Sequence, residues 1–492
     1  MLKAIRGLSQ DTLIYGIGNF TTRLIPFLLI PFLTRILTPA EFAVQALFYM
    51  AIAFLMELVR LGLDIALLRY YVPEKNLEKQ KAIFSSIFWA SFIITGAIST
   101  ALWFGAEFWT TLIVEHDGPY PHWMFYTLRL CAGIIWFDNM LAFPMTVMRC
   151  ENRPRRFMLT RLIGVMTHAS LTFILLFKFG RGIPGMFEAN LIASGLTLLL
   201  CLPTILSRIR FAFDKEIFIS CLMFGLPNVP NVLFVQVIDL SSRKFIEVLR
   251  SASESGLFAA GAKLGTFMAI VAMGFRLAWQ PFFMRIKDQP DAREVFGRVL
   301  TYLMAIVMWL YLGLTAFMMP LAKWEIPYFK KSLIQADFWP GLEIFPIVSL
   351  AHVFNAMFAV FIVGIYLKNK MKVLPLITGI AAIVNFFGNL WLVPTYGMWA
   401  SAWLTVVSYF IMAVLLYLYV QRIYTVPYEW GRILHISIVS AAVFFAGWFG
   451  RQHGTEIPGY ILSVIFPVFL LLTGLANKSE LARIGIGIKR DN

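Results

Sequence analysis

The stretch LFYMAIAFLMELVRLGLDIALLRYY, Leu47 to Tyr71, combines two features that decide the fold. It is predominantly apolar over more than the roughly 20 residues that a helix needs to cross a membrane. It nevertheless contains Glu57, Arg60, Asp64 and Arg69. A charged side chain at the centre of a bilayer costs about 2.5–3.5 kcal/mol, so a spanning helix with this sequence must turn its charges away from lipid.

The apolar character of this stretch recurs along the whole chain. Of the 492 residues, 59% are hydrophobic and 14% are charged, and the mean hydropathy is +0.75. Lipid tolerates only helices and closed barrels, and no segment alternates with the two-residue period of a barrel strand. The predicted fold class is therefore an all-α polytopic membrane protein with about 14 transmembrane helices. The predicted spans are residues 12–33, 43–68, 83–103, 123–147, 158–178, 185–206, 217–238, 257–281, 296–320, 341–366, 374–392, 397–420, 433–450 and 458–476.

The distribution of Lys and Arg predicts how the chain is oriented. If the N-terminus is cytoplasmic, the inner segments hold 27 Lys and Arg and the outer segments hold 10. The positive-inside rule then places both termini in the cytoplasm. The net charge of +15 needs no nucleic-acid partner, because contact with anionic membrane lipids accounts for it.

Several classes of function find no support in the sequence. No loop exceeds about 20 residues, and no G-x-x-x-x-G-K-[ST] motif of an ATP-driven pump is present. An integral-membrane transferase or polymerase would need a catalytic loop, which we do not find, so we predict that the protein is not an enzyme. His116, Asp117 and His122 lie among x-Pro turns that favour a surface loop, and the four cysteines lack metal-ligand spacing. We therefore expect neither a metal site nor a cofactor.

A weak internal repeat relates the segments after spans 1 and 7. Arg35 to Ala46 reads RILTPAEFAVQA, and Glu247 to Ala260 reads EVLRSASESGLFAA. With a short gap, Glu41 falls near Glu254. The repeat divides the first twelve spans into two parallel sets of six, with a cavity expected between them at mid-membrane.

Three sequence blocks resemble the polysaccharide flippases of the multidrug/oligosaccharidyl-lipid/polysaccharide exporter superfamily. The resemblance covers roughly residues 10 to 420 in span order. The blocks are GNFTTRLIPFLLIPFLTRILTPAEFAVQAL, RLGLDIALLRYY, and FGLPNVPNVLFVQVIDLSSRKFIEVLRSASESGLFAAGAKLG.

This resemblance implies two six-helix lobes around a central cavity, 1–210 and 211–425, followed by two extra helices and a tail in 426–492. It also implies that the protein moves an undecaprenyl-linked oligosaccharide from the inner to the outer leaflet of a bacterial or archaeal cytoplasmic membrane. Its expected partners are the lipid-linked glycan, membrane lipids, and the polymerase and other proteins of polysaccharide assembly.

Eight charged side chains lie four or more residues from the nearest end of a predicted span, all of them in spans 1, 2, 4 and 8. Facing lipid, they would together cost on the order of 20 kcal/mol, so we expect them to line a polar cavity. Five cations and three carboxylates give a charge of +2, which favours an anionic passenger because guanidinium groups bind phosphate oxygens in pairs. The eight residues are Arg23, Glu57, Arg60, Asp64, Arg129, Asp138, Lys263 and Arg276.

We predict that the five cations bind substrate, with the pyrophosphate held by Arg23, Arg60 and Arg276. The carboxylates are candidates for coupling transport to a proton or sodium gradient. Glu57 is predicted at the membrane midplane. Its spacing from Arg60 and Asp64 puts the three side chains on one helical face, where they form two neighbouring pairs of opposite charge. The alternative is that these groups form ion pairs that only lock helices together, and that Arg129 and Lys263 extend toward the membrane surface.

Two features of span 7, one inside it and one at its outer end, each allow two interpretations. Pro227 and Pro230 are predicted to bend span 7 and to act as a hinge, or to form a static kink. Asp239 and Arg243, one turn apart, form either a gate or a surface pair. A multidrug or cation antiporter of the same superfamily is the alternative function, and the positive sign of the charge disfavours it.

Overall fold

The structure is a computed structural model of the 492-residue chain, and it describes residues 29–472 except 117, 152, 327–330, 454 and 456. Helices make up most of it. The helices of the first half are α1 Ile30–Ile36, α2 Pro39–Arg60, α3 Leu63–Tyr71, α4 Leu77–Phe104, α5 Ala106–Ile113, α6 His122–Cys150, α7 Pro154–Phe177, α8 Gly182–Arg208, α9 Lys215–Gly225 and α10 Val229–Leu249.

The second half continues the same pattern. Its helices are α11 Ala252–Ile286, α12 Ala292–Lys323, α13 Trp339–Leu342, α14 Phe345–Phe361, α15 Val363–Leu367, α16 Leu374–Tyr396, α17 Met398–Ile423, α18 Trp430–Gln452 and α19 Ile457–Leu472. Two short strands, β1 Glu325–Ile326 and β2 Lys331–Ser332, pair antiparallel after α12. Short 3₁₀ turns cover Leu226–Asn228, Ala336–Phe338 and Met371–Val373.

Twelve helical segments of the described chain are long and apolar enough to cross a membrane. One of them, Lys215–Leu249, combines α9, a 3₁₀ turn and α10. A shorter apolar stretch, Gly459–Leu470, lies in α19. These segments follow predicted spans 2 to 14 in order, and the predicted fold class is confirmed. Predicted span 1 lies mostly outside the described residues.

The described chain forms two compact units. The first unit takes in the described residues up to Leu264, with Ile334–Ile344 and Lys370–Met412. The second unit contains Gly265–Leu333, Phe345–Asn369 and the described residues from Ala413 onward. The boundaries predicted for the two lobes at residues 210 and 425 stay a prediction.

In the first unit, α6 packs against α4 and α8, and α10 packs against α2 and α16. A buried apolar cluster fills the space among α3, α4, α6, α8 and α9, with Phe84 and Phe143 fully buried. In the second unit, α12 packs against α14, α18 and α19. The α-carbon of Gly459 in α19 lies 3.0 Å from the position that a Cβ on Gly447 of α18 would take, so both helices approach through glycine.

A carboxylate joins three helix ends in the first unit. Glu151, just after α6, accepts hydrogen bonds from Nε of Arg208 at 2.8 Å and from the Tyr71 hydroxyl at 2.9 Å. Arg208 Nη2 lies 2.6 Å from the same carboxylate, and Arg153 Nη2 lies 3.0 Å from its other oxygen. We call these four residues the Glu151 junction. The side chain of Glu151 is 14% exposed, so the arginines neutralise its carboxylate charge in an environment that largely excludes water.

The predicted repeat is visible as two equivalent helix starts. Thr38 caps α2 in a capping box with Glu41, whose carboxylate accepts the Thr38 backbone N–H at 2.8 Å. At the start of α11, the Ser251 hydroxyl accepts the backbone N–H of Glu254 at 3.1 Å. Glu41 and Glu254 therefore occupy the same third position of their helices, as the aligned sequences predict.

These two helix starts lie in direct backbone contact within the first unit. A Cβ added at Gly256 would overlap the carbonyl oxygen of Pro39, so only glycine fits there. Glu254 also accepts the backbone N–H of Met398 at 2.7 Å and caps α17. Arg250 donates to the carbonyl of Pro394 at 3.2 Å. The starts of α2, α11 and α17 thus meet at one junction with the end of α16.

The connection between α8 and α9 is fastened to α4. Ser85 Oγ accepts the backbone N–H of Arg210 at 2.7 Å, and Trp89 Nε1 donates to the Arg210 carbonyl at 2.8 Å. Ser86 Oγ accepts the backbone N–H of Asp214 at 2.9 Å. Between these bonds, the ring of Phe211 is 94% exposed.

Candidate functional site

The prediction of a single continuous span 2, residues 43–68, is wrong. Helix α2 ends at Arg60, and Leu61 and Gly62 both adopt left-handed backbone conformations, with φ of 53° and 68°. Helix α3 then begins at Leu63. Gly62 lies so close to the backbone of Gly225 that a Cβ would overlap the Gly225 carbonyl. The chain breaks here because left-handed residues cannot continue a right-handed helix.

The break changes the position of three predicted site residues. Glu57 and Arg60 lie in the last turn of α2, about 11 Å and about 16 Å along the helix axis from its middle, and the midplane position of Glu57 stays a prediction. Asp64 belongs to α3 and does not continue the helical face of Glu57 and Arg60, which corrects the prediction of one shared face. Asp64 forms no ion pair with any described residue.

Arg60 lies at the centre of a charged group in the first unit. Its Nη1 is 3.5 Å from Glu57 Oε1, and both side chains are about one-fifth exposed. Its Nε is buried without a hydrogen-bond partner among the described residues. The predicted Arg60–Glu57 pair is therefore present, although it leaves part of the guanidinium group available.

Asp138, near the middle of α6, faces this arginine. Its carboxylate accepts a hydrogen bond from Ser194 on α8 and interacts electrostatically with Arg60 and with Arg161 on α7. We call these residues, together with Glu57, the Asp138 cluster. Four helices contribute to it, and its charge balances to zero over the described residues, from two arginines and two carboxylates.

A second group of charges lies about two turns further along α7. His168 is within electrostatic range of Lys263 on α11, and Lys263 is within range of Arg243 on α10. The Lys263 ammonium is 5.7 Å from the centroid of the Phe42 ring. Asp239, one turn before Arg243, interacts with it and accepts a hydrogen bond from the Tyr409 hydroxyl at 2.8 Å. We call these residues the Lys263 cluster.

The other predicted substrate-binding residues are more dispersed. Arg129, in α6, is half-buried, and its Nε has no hydrogen-bond partner among the described residues. Arg276 belongs to the second unit, where its Nη2 donates to Asn355 Oδ1 at 3.0 Å. Arg23 lies outside the described residues. The structure therefore brings Arg60, Glu57 and Asp138 together, and it brings Lys263 to a separate cluster of the same unit.

The two prolines of predicted span 7 occur at a real interruption. Pro227 lies in the 3₁₀ turn Leu226–Asn228, and Pro230 lies in the first turn of α10. The predicted bend therefore has a local structural basis, because proline cannot donate the backbone hydrogen bond that a continuous helix needs. Whether this bend acts as a hinge stays a prediction.

Sequence reasoning missed Arg161 and His168 and did not assign Arg243 to the interior. Arg161 follows an arginine-rich stretch of the sequence, and it lies in the second turn of α7. The seven-residue spacing of Arg161 and His168 is a usable signal, because such residues lie two turns apart on one helical face. Arg243 is half-buried, and its Nε has no hydrogen-bond partner in the described chain, so a fully exposed surface pair with Asp239 is excluded.

No group of three or more His, Cys, Asp and Glu side chains in the described residues could hold a metal ion. Asp117 lies outside the described residues, between the described His116 and His122. Three of the four cysteines are buried and Cys150 is half-buried.

A family model described as "Polysaccharide biosynthesis protein" matches residues 8–287, more than half of the chain. The chain belongs to this family. The comparison with curated proteins returned no match.

Solved structures share the fold at low sequence identity. The lipid II flippase MurJ in an inward closed conformation aligns with a TM-score of 0.72 and 15% identity, over 94% of this chain and all of that one. An inward-facing multidrug resistance MATE family transporter aligns with a TM-score of 0.67 and 14% identity, over 84% of this chain and 95% of that one. The MATE transporter VcmN of Vibrio cholerae, in its bent form, aligns with a TM-score of 0.54 and 14% identity, over 87% and 99%. The relationship predicted from the three sequence blocks is confirmed.

Proposed function

We propose that this protein is a flippase that moves a lipid-linked oligosaccharide of the undecaprenyl-pyrophosphate type across the cytoplasmic membrane by alternating access. The family match to polysaccharide biosynthesis supports the glycan, and the shared fold with a flippase and with exporters supports the transport class. The observation that carries the proposal is Arg60, an arginine among membrane helices whose buried Nε makes no hydrogen bond to a described residue.

The pyrophosphate is the part of this substrate that Arg60 suits. A guanidinium group offers five N–H donors in a fixed plane and binds two phosphate oxygens at once. Arg60 is held at 3.5 Å from Glu57, a distance that is long for an ion-pair hydrogen bond, so its donors can turn to an incoming anion. Arg23 and Arg276 remain the predicted additional ligands.

The Asp138 cluster offers a route for ion coupling. Asp138 and an incoming phosphate would both interact with the guanidinium group of Arg60. Binding of the phosphate therefore weakens the electrostatic interaction between Arg60 and the Asp138 carboxylate. The carboxylate then takes up a proton or a sodium ion more readily, because its charge is less well balanced. Glu57 would respond in the same way. This coupling links the substrate to the ion gradient through one arginine.

A multidrug or cation antiporter is the less favoured function. The likeness to multidrug transporters at 14% identity shows the fold alone. A cationic drug would have to approach arginines and a lysine in the first unit, which like-charge repulsion opposes.

Reconstitution into proteoliposomes tests the proposal. The probe is an undecaprenyl-pyrophosphate-linked oligosaccharide with an NBD label on the sugar, and membrane-impermeant dithionite measures which leaflet holds the label. We expect the wild-type protein to equilibrate the probe between leaflets and Arg60→Ala to abolish this movement. Arg298→Ala is the matched control, because Arg298 also lies 3.5 Å from a glutamate of its own helix but is about half exposed.

Two outcomes of this experiment would contradict the proposal. Movement of the probe by Arg60→Ala at the wild-type rate, with equal amounts of protein in the vesicles, would exclude a pyrophosphate-binding role for Arg60. Failure of the wild-type protein to move any undecaprenyl-linked glycan, while it transports cationic dyes, would favour the antiporter. In cells we place the protein in a bacterial or archaeal cytoplasmic membrane, beside the polymerase that uses the flipped glycan.

A further inference from the structure

The Lys263 cluster carries positive charge that its surroundings leave uncompensated. Arg243 and Lys263 contribute two positive charges, and Asp239 contributes one negative charge that it shares with the Tyr409 hydroxyl. Lys263 forms no ion pair within the described part of the chain, and its nearest aromatic partner is Phe42. The described part of the cluster therefore has a net charge of +1, in contrast to the balanced Asp138 cluster.

Polar atoms of the cluster, and of the helices that carry it, also lack hydrogen-bond partners among the described residues. His168 Nε2 and Arg243 Nε are buried and make no hydrogen bond to a described residue. The same holds for the amide oxygens of Gln45 and Gln236. Gln45 lies one turn from Phe42 on α2, and Gln236 lies one turn from Asp239 on α10, and these two helices pack together. Buried polar atoms of native proteins are usually satisfied by protein, water or a ligand, so these atoms are available to bind a polar ligand.

The two clusters lie at different positions along α7. On α7, Arg161 faces the Asp138 cluster and His168 faces the Lys263 cluster. Their seven-residue separation corresponds to about 10 Å along the helix axis. A pyrophosphate bound at Arg60 therefore leaves the Lys263 cluster to another part of the substrate. In a lipid-linked glycan, the part that extends away from the pyrophosphate is the sugar chain.

We propose that the Lys263 cluster binds an acidic group on the glycan itself, a carboxylate or a phosphate ester of a sugar, so that the transported oligosaccharide is acidic. Arg243 and Lys263 hold the anionic oxygens. The amide oxygens of Gln45 and Gln236 accept hydrogen bonds from neighbouring sugar hydroxyls. The inference rests on the proposed flippase function and adds the chemical class of the glycan.

Two probes that differ in one group test this inference. Both are undecaprenyl-pyrophosphate-linked, NBD-labelled disaccharides, and the terminal sugar is glucose in one and glucuronic acid in the other. We expect the wild-type protein to move the glucuronic acid probe about tenfold faster, the factor that one charge-assisted contact supplies. Arg243→Gln should bring the ratio of the two rates close to one, and Arg243→Lys, which keeps the charge, should restore the preference.

Each other result counts against the inference. Equal rates for both probes in the wild-type protein would overturn it and leave the proposed flippase function standing. Equal loss of both rates in Arg243→Gln, with an unchanged ratio, would assign the cluster to the pyrophosphate or to folding. Movement of neither probe by the wild-type protein would overturn both the inference and the proposed function. Arg298→Gln serves as the control for loss of a positive charge on an exposed helix face.

Discussion

Glu151 combines burial, charge and several hydrogen bonds at a single residue. Its carboxylate contacts Arg208, Arg153 and Tyr71, which come from three separate segments of the first unit. Burial and the hydrogen bond to Glu151 raise the pKa of the Tyr71 hydroxyl, so this group stays protonated and keeps its role as donor at neutral pH. The Glu151 junction therefore holds the ends of α3, α6 and α8 together across the physiological pH range.

We expect Glu151→Gln to lower the free energy of unfolding by about 3–5 kcal/mol, because it leaves the guanidinium group of Arg208 largely buried without a countercharge. Thermal unfolding in detergent measures the loss. Arg153→Gln is the control, since the Arg153 side chain is 48% exposed and its ion pair contributes about 1 kcal/mol or less. Equal unfolding temperatures for the two variants would contradict the central place of Glu151.

Gly256 allows two helix starts to touch through their backbones. We expect Gly256→Ala to cost about 1–3 kcal/mol of stability, because its Cβ meets the Pro39 carbonyl and the backbone has to move. The matched control is Gly274→Ala in the same helix α11, where a Cβ has no atom within 4 Å. That change should be neutral or stabilise by up to about 1 kcal/mol, since alanine favours helix. The measurement is the thermal unfolding midpoint of each variant relative to the wild-type protein. Similar shifts in both variants would argue against a tight contact at Gly256.

At the scale of elements, periodicity and apolar length located the spans, and they did not reveal the break after Arg60. Leu61 is a good helix former, and a single glycine inside an apolar run does not by itself end a helix. The break arises from a tertiary contact, the close approach of Gly62 to Gly225, which lies 163 residues away in the chain. The sequence shows where the two glycines are, but it does not show that they contact each other.

We expect Gly62→Ala to lower the stability of the protein by more than the left-handed backbone angle of Gly62 alone predicts. Left-handed geometry costs an alanine about 1–2 kcal/mol. Gly180→Ala isolates that part, because Gly180 has φ of 60° and nothing within 4 Å of an added Cβ. Gly62, with φ of 68°, adds the collision with Gly225. We expect a clearly larger loss in unfolding midpoint for Gly62→Ala, and equal losses would mean that the Gly62–Gly225 contact can relax.

The candidate site was predictable only in part for a related reason. Charges inside apolar spans are conspicuous, so Arg60, Asp138 and Lys263 could be found from the sequence. Grouping them requires the packing of α7, α8 and α10, which no periodic pattern supplies. Arg161 and Arg243 lie near predicted span ends, where positive charge is common, and so their sequence positions carry little information. His168 is a lone histidine in an apolar span, and only its electrostatic interaction with Lys263 in the structure indicates a role for it.

For the whole molecule, the number and order of the spans follow from hydropathy, and the family relationship follows from three blocks of sequence. The orientation across the membrane rests on the distribution of Lys and Arg and stays a prediction. Phe179 and Phe211 allow a direct measurement of this orientation, because they are 61% and 94% exposed and lie just before and just after α8, a single span.

We expect a membrane-impermeant maleimide to label Phe179→Cys in intact cells and Phe211→Cys only after permeabilisation. The wild-type protein gives the background, since three of its cysteines are buried and Cys150 is half-buried. The reverse labelling pattern would place the arginine-rich loops outside and would contradict the predicted cytoplasmic termini.

The hydrogen bonds between α4 and residues 208–215 also bear on how force passes along the chain. A flexible connection at this point would let α9 move independently of α4. Instead, Ser85, Ser86 and Trp89 hydrogen-bond to the backbone of Arg210 and Asp214 and fix the connection to α4. A rotation of α10 would therefore not be absorbed by the connection between α8 and α9. It would concentrate at the next weak point, the 3₁₀ turn at Leu226–Asn228, which would make that turn the pivot and α10 the lever arm.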